Sequence, residues 1–373
     1  MSEGNSIAGL RSLGQSVWLD QIDREMIRSG RLAQYRDLGV SGITANPTIF
    51  AKALQSSDAY AGDIAARFDR GQDAAAIVWD LLIEDVQAAA DVFRPVFDRE
   101  RGNDGFVSIE VSPEIAGDTE KTVAAALDLR RRCDRPNVMV KIPATPAGLP
   151  AIEAMTAHGA SINVTLIFAI ERYVKVVEAF LTGLDRLRAG GGDVSRVRSV
   201  ASFFVSRVDT KVDERLSTKI AQADGERRLE LQSLLGKAAI ANSKLAYEIF
   251  AQLHSGHRWD RLRASGASVQ RCLWASTSTK NPSYRDTLYV DELIGPATVN
   301  TMPVPTLEAF LDHGRVALTL QQDVEGARRL LDQLATNGID LAAITQELED
   351  EGVAGFAKSF RESIQQLSKV KTH

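Results

Sequence analysis

The chain has 373 residues, of which 44% are hydrophobic and 25% are charged, so its composition is that of a globular protein rather than a disordered one. Its 44 basic and 49 acidic residues are interleaved and give a formal charge of -5, which argues against a nucleic-acid partner. It contains no apolar stretch long enough to cross a bilayer, no secretory signal and only two cysteines, so we expect a cytoplasmic protein with no membrane partner.

Short segments rich in β-branched residues predict eight strands. In chain order they are VWLD at 17–20, GITAN at 42–46, FVSIEV at 106–111, VMVKIPA at 138–144, INVTLIF at 162–168, VASFFV at 200–205, CLWAST at 272–277 and TVNTM at 298–302. Segments with helical spacing separate most of them, for example at 118–132, 173–187 and 226–253, whereas 190–192 and 255–266 are predicted to be loops.

This alternation of strands and helices belongs to the α/β class. It extends over about 300 residues, and no phosphate-binding glycine loop follows an early strand, so it predicts a closed (β/α)₈ TIM barrel rather than an open doubly wound sheet. The tail has no further strand signal and predicts helix, turn, helix, helix. We therefore expect a barrel catalytic domain at 1–314 and a C-terminal helical extension at 315–373 that packs on the barrel.

Polar residues alternate with apolar ones along the predicted strands. In the third segment Ser108 and Glu110 share one face, and in the fifth Asn163 and Thr165 oppose an apolar face that includes Leu166. Because side chains alternate across a strand, the polar sets face the barrel interior. The same count predicts a polar ring at one end of the other strands, formed by Asp20, Thr44, Asn46, Ser276 and Asn300. A ring of this kind indicates an active site, because a structural interior is dominated by Val, Ile and Leu.

Lys141 lies within the apolar frame VMVKIPA and is predicted to point into the barrel. Burial disfavours an ammonium ion and favours a neutral amine, which is able to attack a carbonyl. The carboxylate of Glu110 on the neighbouring strand opposes that effect. The alternative is a structural ion pair between Lys141 and Glu110 or Asp20.

The segments VWLD, GITANPT, SIEVSP, VMVKIPAT, INVTLIF and SFFVSRVD resemble, in the same order, the strand signatures of transaldolases. The resemblance covers roughly residues 15 to 305 and is strongest to the long actinobacterial-type form. It implies that Lys141 forms a Schiff base and that Asp20 takes the proton from the substrate hydroxyl next to the bond that breaks. It also implies that Glu110 and Thr165 manage a catalytic water, and that Asn46 and Asn163 hold the dihydroxyacetone hydroxyls.

At the phosphate end, the resemblance matches Ser202, Phe204 and Arg207 to the strand-six motif. Arginine suits bidentate phosphate binding. Ser202 and Arg207 have opposite parity, so they face one ligand only if the strand ends or bends between them. Many transaldolases carry an arginine after strand seven. The sequence at this place is WASTSTKNP, in which Ser278 and Lys280 are the nearest matches to that part of the family motif. A lysine has the same positive charge as that arginine, but it lacks the planar pair of donors that binds a phosphate in a bidentate manner.

The resemblance implies transfer of a dihydroxyacetone unit from sedoheptulose 7-phosphate or fructose 6-phosphate to glyceraldehyde 3-phosphate or erythrose 4-phosphate, in the non-oxidative pentose phosphate pathway. No metal or other cofactor is expected, because the protonated imine is the electron sink. A fructose 6-phosphate lyase of the same superfamily and a non-catalytic sugar-phosphate-binding barrel are the alternatives. Phe204 favours transfer, since the related lyases carry tyrosine there.

Two further expectations concern metals and assembly. His254 and His257 flank a Ser-Gly pair in a predicted loop and have no evident third ligand, so a surface turn is preferred to a metal site. The partners are expected to be small sugar phosphates, and the chain is expected to be a monomer or a homodimer.

Overall fold

The computed structural model describes residues 6–45, 50, 53–54 and 58–370. Parallel strands close into a barrel in the order of the chain, and the last strand pairs with the first. The strands are β1 Gln15–Leu19, β2 Gly42–Thr44, β3 Val107–Glu110, β4 Val138–Pro143, β5 Ile162–Ile167, β6 Ser199–Phe204, β7 Gln270–Ala275 and β8 Thr298–Met302. Together with the helices between them, they confirm the predicted (β/α)₈ TIM barrel.

Helices surround the strands. In chain order they are α1 Ser6–Ser12, α2 Arg24–Arg28, α3 Arg31–Leu38, α4 Ala61–Asp69, α5 Ala74–Arg99, α6 Thr119–Cys133, α7 Gly148–Ala157, α8 Ile170–Ala189, α9 Val205–Ile220, α10 Gly225–Ser233, α11 Ala238–Leu253, α12 Gly256–Ala264, α13 Leu288–Asp291, α14 Val304–His313, α15 Val324–Thr336 and α16 Leu341–Val370. Within the described residues, no helix combines the length and the apolar character that a membrane crossing requires.

The strands form the centre of one hydrophobic core. Every residue of β3, β4, β5 and β6 is buried, as expected for parallel strands with helices on one face and the barrel interior on the other. Trp18 and Trp274 are fully buried, and the indole of Trp18 donates a hydrogen bond of 2.8 Å to Asp104 at the N-terminal end of the barrel. This contact helps to pack the N-terminal end of the barrel interior, whereas the predicted site residues lie at the C-terminal ends of the strands.

Two local predictions are wrong. The helix predicted over 226–253 is divided into α10 and α11, because Gly236 between them adopts φ +68° and a Cβ there would lie 2.7 Å from the ring of Tyr284. The loop predicted at 255–266 contains α12, since Trp259 and Leu262 are three residues apart and both are buried in the core.

The C-terminal tail also differs from its prediction, because one continuous helix, α16, replaces the last two. This helix packs against α5, α9 and β5. Gly352 allows the close approach to β5, since a Cβ at that position would lie 2.9 Å from Cδ2 of Leu166. Ion pairs fix α16 to the barrel helices, with Arg172 3.1 Å from Glu349 and Lys211 2.5 Å from Glu351.

Leu166 departs from the expected alternation of β5. Its φ is +59°, and the pairing of β5 with β6 shifts register between Val164 and Ile167. The side chain therefore contacts α16 instead of continuing the row of apolar residues that faces the barrel helices. The irregularity lies directly after Thr165, at the end of the strand where the predicted site residues are found.

Candidate active site

A cavity of about 360 Å³ opens at the C-terminal ends of the barrel strands. Its walls contain most of the residues predicted from the sequence, namely Asp20, Lys141, Thr165, Ser202, Phe204, Arg207, Ser278 and Lys280. Glu110 and Asn163 are buried beside these residues but do not line the cavity, and Asn46 lies outside the described residues. The barrel thus brings together side chains that are up to 260 positions apart in the sequence, from Asp20 to Lys280.

Lys141 and Glu110 form a buried pair. They lie opposite each other in the register of β3 and β4, and Nζ of Lys141 is 3.2 Å from Oε2 of Glu110. The ammonium also donates a hydrogen bond of 3.2 Å to the carbonyl of Ala45. Lys141 is thereby held with its amine at the cavity wall, as the parity of the sequence predicts.

Two buried oxygens near the lysine lack hydrogen bonds. Oε2 of Glu110 approaches the ammonium outside hydrogen-bonding geometry, and neither this oxygen nor Oγ1 of Thr165 has a hydrogen-bond partner among the described residues. Buried polar atoms are normally paired, and exceptions indicate a bound water or a functional role. Burial also raises the pKa of Glu110, against the opposing effect of Lys141, so its protonated form is easier to reach than that of an exposed glutamate.

Asp20 follows β1 and accepts a hydrogen bond of 2.8 Å from the hydroxyl of Thr44. Burial raises the pKa of Asp20, while the charges of Lys141, Arg207 and Lys280 oppose the rise. A carboxylate whose pKa is raised is a stronger base than an ordinary aspartate, and the surrounding cations keep the charged form accessible.

Asn163 on β5 links the side chains of β3 and β6 inside the barrel. Its amide donates to Ser108 at 3.0 Å, and its carbonyl oxygen accepts from Ser202 at 2.7 Å. Because an amide has two hydrogens and two lone pairs, one of each remains for a ligand. These bonds also fix the hydroxyl of Ser202 at the cavity wall.

The parity conflict between Ser202 and Arg207 is resolved by the end of β6. The strand ends at Phe204, and α9 begins at Val205, so the helical turn brings Arg207 back towards the cavity. The guanidinium stacks over the ring of Phe204, with 5.1 Å between Cζ and the ring centroid. Arg207 forms no hydrogen bond or ion pair within the described parts of the chain, and burial lowers its pKa.

The segment after β7 forms the opposite wall of this end of the cavity. Ser276 adopts φ +55°, and its carbonyl accepts a hydrogen bond of 3.0 Å from the backbone N–H of Ser206 in the first turn of α9. Further along, Nζ of Lys280 donates to Ser278 at 2.8 Å. Arg207, Lys280 and the N-terminus of α9 therefore converge on one pole of the cavity, an arrangement that favours an anion.

Sequence reasoning missed the cavity residues Thr301, Pro303 and Phe356. Thr301 shares a contact of 2.7 Å with the hydroxyl of Thr44. The sequence count assigned the inward face of β8 to the adjacent Asn300, but Asn300 does not line the cavity and accepts a hydrogen bond from Thr277 instead. Phe356 comes from α16, and helical periodicity identifies it as buried without indicating what it contacts.

His254 is not a surface turn residue. Its ring bonds to the carbonyl of Phe250 at 2.9 Å and accepts from the backbone N–H of Gln270 at 3.2 Å, so both nitrogens are occupied. Burial lowers its pKa to about 4. In the part of the chain that the structure describes, no group of histidine, cysteine or acidic side chains has the arrangement of a metal site.

Comparison with known proteins gives a consistent result. A family model described as Transaldolase/Fructose-6-phosphate aldolase matches residues 17–367. A transaldolase of Parafrankia sp. is 50% identical over 358 residues, which cover 95% of each chain. Transaldolases of Thermobifida fusca and Mycolicibacterium paratuberculosis are 48% and 46% identical, with 98% or more of each chain covered. The similarity therefore includes both the barrel and the C-terminal helices.

Proposed function

Because this chain belongs to the transaldolase family, we propose that it moves a dihydroxyacetone unit between sugar phosphates through a Schiff base on Lys141. The enzyme is a transaldolase and acts in the pentose phosphate pathway. Its donors are sedoheptulose 7-phosphate or fructose 6-phosphate, and its acceptors are glyceraldehyde 3-phosphate or erythrose 4-phosphate. The observation that carries the proposal is the buried lysine at the cavity wall, 3.2 Å from the carboxylate of Glu110.

Schiff-base formation begins when the neutral amine of Lys141 attacks the ketose carbonyl carbon and forms a carbinolamine. The carbinolamine hydroxyl must then gain a proton and leave as water, which gives the protonated imine. Glu110 supplies this proton through a water held between its carboxyl group and Thr165. The unpaired Oε2 and Oγ1 of these two residues, together with the raised pKa of Glu110, support that role.

Cleavage of the carbon–carbon bond follows on the imine. Asp20 removes the proton of the hydroxyl on the carbon beyond the breaking bond, and the bond electrons move into the imine to give an enamine and a free aldehyde. The hydrogen bond from Thr44 orients the carboxylate. In the second half of the reaction the enamine attacks the acceptor aldehyde, and Asp20 returns its proton to the new alkoxide.

Substrate hydroxyls and phosphate occupy opposite poles of the cavity in this proposal. Asn163 and Asn46 hold the dihydroxyacetone hydroxyls near Lys141. Arg207 binds the phosphate with Lys280, and Ser202 and Ser278 contribute hydroxyl groups. Arg207 supports this orientation of the substrate. Its guanidinium stacks over the ring of Phe204 and donates no hydrogen bond to any of the described residues.

Transfer is favoured over release by the wall of the cavity around Phe204. Release of dihydroxyacetone requires protonation of the enamine carbon and attack of water on the imine. The rings of Phe168 and Phe356 lie 5.5 Å and 6.4 Å from that of Phe204, so the surroundings of this ring are aromatic, and none of the three rings carries a hydroxyl that could donate a proton. A lyase reaction is therefore the less favoured alternative.

The remaining properties concern location and assembly. We propose a cytoplasmic enzyme that needs no metal or organic cofactor; its two cysteines, Cys133 and Cys272, are buried and unpaired, which accords with a reducing compartment. We propose that it is a monomer or a homodimer, and light scattering coupled to size-exclusion chromatography distinguishes the two.

Trapping of the imine tests the proposal directly. The protein is incubated with fructose 6-phosphate and borohydride, and the labelled peptide is identified by mass spectrometry. We expect one reduced dihydroxyacetone unit on Lys141, and Lys141→Ala is expected to fold but to take up no label and lose nearly all turnover. Lys280 serves as the internal control because it also lines the cavity. A label on Lys280 instead of Lys141 would overturn the assignment.

A further inference from the structure

A second cavity, of about 540 Å³, lies at the N-terminal end of the barrel, opposite the proposed active site. Loops that precede β3, β4, β5 and β6 form its walls. Its charged lining consists of arginines, Arg101, Arg130, Arg135, Arg196 and Arg198, and none of its described lining residues is acidic. This concentration of positive charge, which we call the basal groove, contrasts with the formal charge of -5 of the whole chain.

Three of these arginines have no carboxylate partner among the described residues. Arg130 donates to the backbone carbonyls of His158 and Gly159 at 3.2 Å and 3.3 Å. The side chain of Arg101 forms no hydrogen bond or ion pair within the ranges that the structure describes. Both guanidinium groups therefore carry a charge that no neighbouring side chain neutralises.

Arg198 is the third, and it is partly buried. Its guanidinium donates to Asn103 at 3.0 Å and to the carbonyls of Ser195 and Val197 at 2.6 Å and 3.0 Å, all of which are neutral acceptors. Burial lowers the pKa of Arg198, since its charged form is incompletely compensated. An anion in the basal groove would offset this cost.

The other two arginines are already balanced. Arg135 holds Asp91 in a bidentate pair at 2.6 Å and 3.0 Å, and Arg196 lies 3.2 Å from Asp193. The basal groove thus has an excess of three positive charges. One phosphate monoester carries about -1.5 to -2 at pH 7, so two phosphate groups are needed to match this excess.

We propose that the basal groove binds a small organic polyphosphate with at least two phosphate groups. Arginine forks suit phosphate oxygens, and a cavity of this volume falls within the range of small-molecule sites. The groove faces the opposite end of the barrel from Lys141, so its ligand occupies a site separate from that of the sugar phosphates.

Calorimetric titration of the whole protein with inorganic tripolyphosphate tests this inference. The Arg207→Gln variant is used as the parent, so that phosphate binding in the active-site cavity is weakened. We expect one equivalent of tripolyphosphate to bind to the parent. Arg101→Gln together with Arg130→Gln should weaken that binding by about tenfold or more, the loss expected when charge-assisted contacts are removed.

A matched pair of substitutions controls for overall charge. Arg328→Gln with Arg329→Gln removes the same two charges from α15, outside the basal groove, and should leave the affinity for tripolyphosphate unchanged. In the wild-type background, Arg101→Gln with Arg130→Gln should leave dihydroxyacetone transfer unchanged. Equal affinity in the parent and the groove variant, equal losses in the groove and control variants, or no binding to the parent would each overturn the proposal.

Discussion

The ring of Phe356 lies 6.4 Å from the ring of Phe204, and this contact joins the C-terminal helix to the end of β6. Phe204 in turn packs against Phe168 and beneath the guanidinium of Arg207. Phe204 is the residue that we propose favours transfer over release. It is therefore held in position by α16, a helix that follows the last strand of the barrel.

Replacement of Phe204 by tyrosine should shift the reaction towards release. The new hydroxyl can donate a proton to the enamine or position a water for imine hydrolysis. The wild type should consume fructose 6-phosphate alone only to about one equivalent per site, with steady turnover after addition of erythrose 4-phosphate. Free dihydroxyacetone is measured without an acceptor. Sustained release by the wild type, at a rate comparable to transfer, would contradict the transferase assignment.

Removal of the ring at position 356 should impair the site more than the fold. Phe356→Ala admits water beside Phe204, so we expect faster release of dihydroxyacetone relative to transfer and a loss of stability of about 3 kcal/mol. Leu367→Ala on the same helix is the control, since Leu367 is buried but does not line the cavity. If both variants change the ratio of release to transfer equally, Phe356 acts only through the packing of the helix.

Substitution of Arg207 should separate phosphorylated from unphosphorylated substrates. Arg207→Ala should raise KM for fructose 6-phosphate about ten- to a hundredfold, the equivalent of a charge-assisted phosphate contact. KM for unphosphorylated dihydroxyacetone should change much less. Arg215→Ala, on the exposed side of the same helix, should leave both values unchanged. An equal rise for both substrates would locate Arg207 away from the phosphate.

Glu110 should control the rate of imine formation. Glu110→Gln retains the volume but cannot supply a proton, so accumulation of the borohydride-trapped adduct should slow by about 10²- to 10⁴-fold. Thr165→Val should slow the same step if both residues hold the water. The control is Glu114→Gln, which removes an exposed carboxylate four residues further along the chain and should leave the rate of trapping unchanged. A normal rate of trapping in Glu110→Gln, with slower carbon–carbon cleavage, would assign Glu110 to another step.

His254 should make the fold sensitive to acid. Its pKa is about 4 in the folded protein and about 6.5 when exposed, so the unfolded state binds more protons between these values. Stability should therefore fall as the pH drops from about 6.5 towards 4. Urea unfolding of the wild type, His254→Gln and the exposed neighbour His257→Gln tests this. The pH dependence should become weaker only in His254→Gln, and an unchanged dependence there would exclude His254 as its source.

The barrel itself was accessible from the sequence, because parallel strands buried on both faces give continuous β-branched segments and their parity identifies the interior. Lys141 illustrates this, since an isolated charge in an apolar strand has one reasonable orientation. The position of Arg207 was less certain, because it depends on where β6 ends and α9 begins. The roles of the site residues stay predictions.

Features of the fold and of the site that depend on contacts between distant parts of the chain could not be predicted from the sequence. The break at Gly236 depends on the ring of Tyr284, which comes from a distant loop. The left-handed conformation of Leu166 depends on packing against α16, and leucine gives no local signal for it. Phe356 was missed for a similar reason, since periodicity defines the buried face of a helix but not its neighbour.

The contribution of α16 to the cavity also bears on how the enzyme is made. All eight strands are complete at Met302, and every residue to which we assign a chemical step precedes that point. The wall formed by Phe356, and the pairing of Glu349 with Arg172, require a further stretch of chain. Because a ribosome synthesises the chain from its N-terminus, Lys141, the residue that we propose forms the imine, is made before α16, and the cavity wall beside Phe204 is complete only when this last helix has been synthesised and packed.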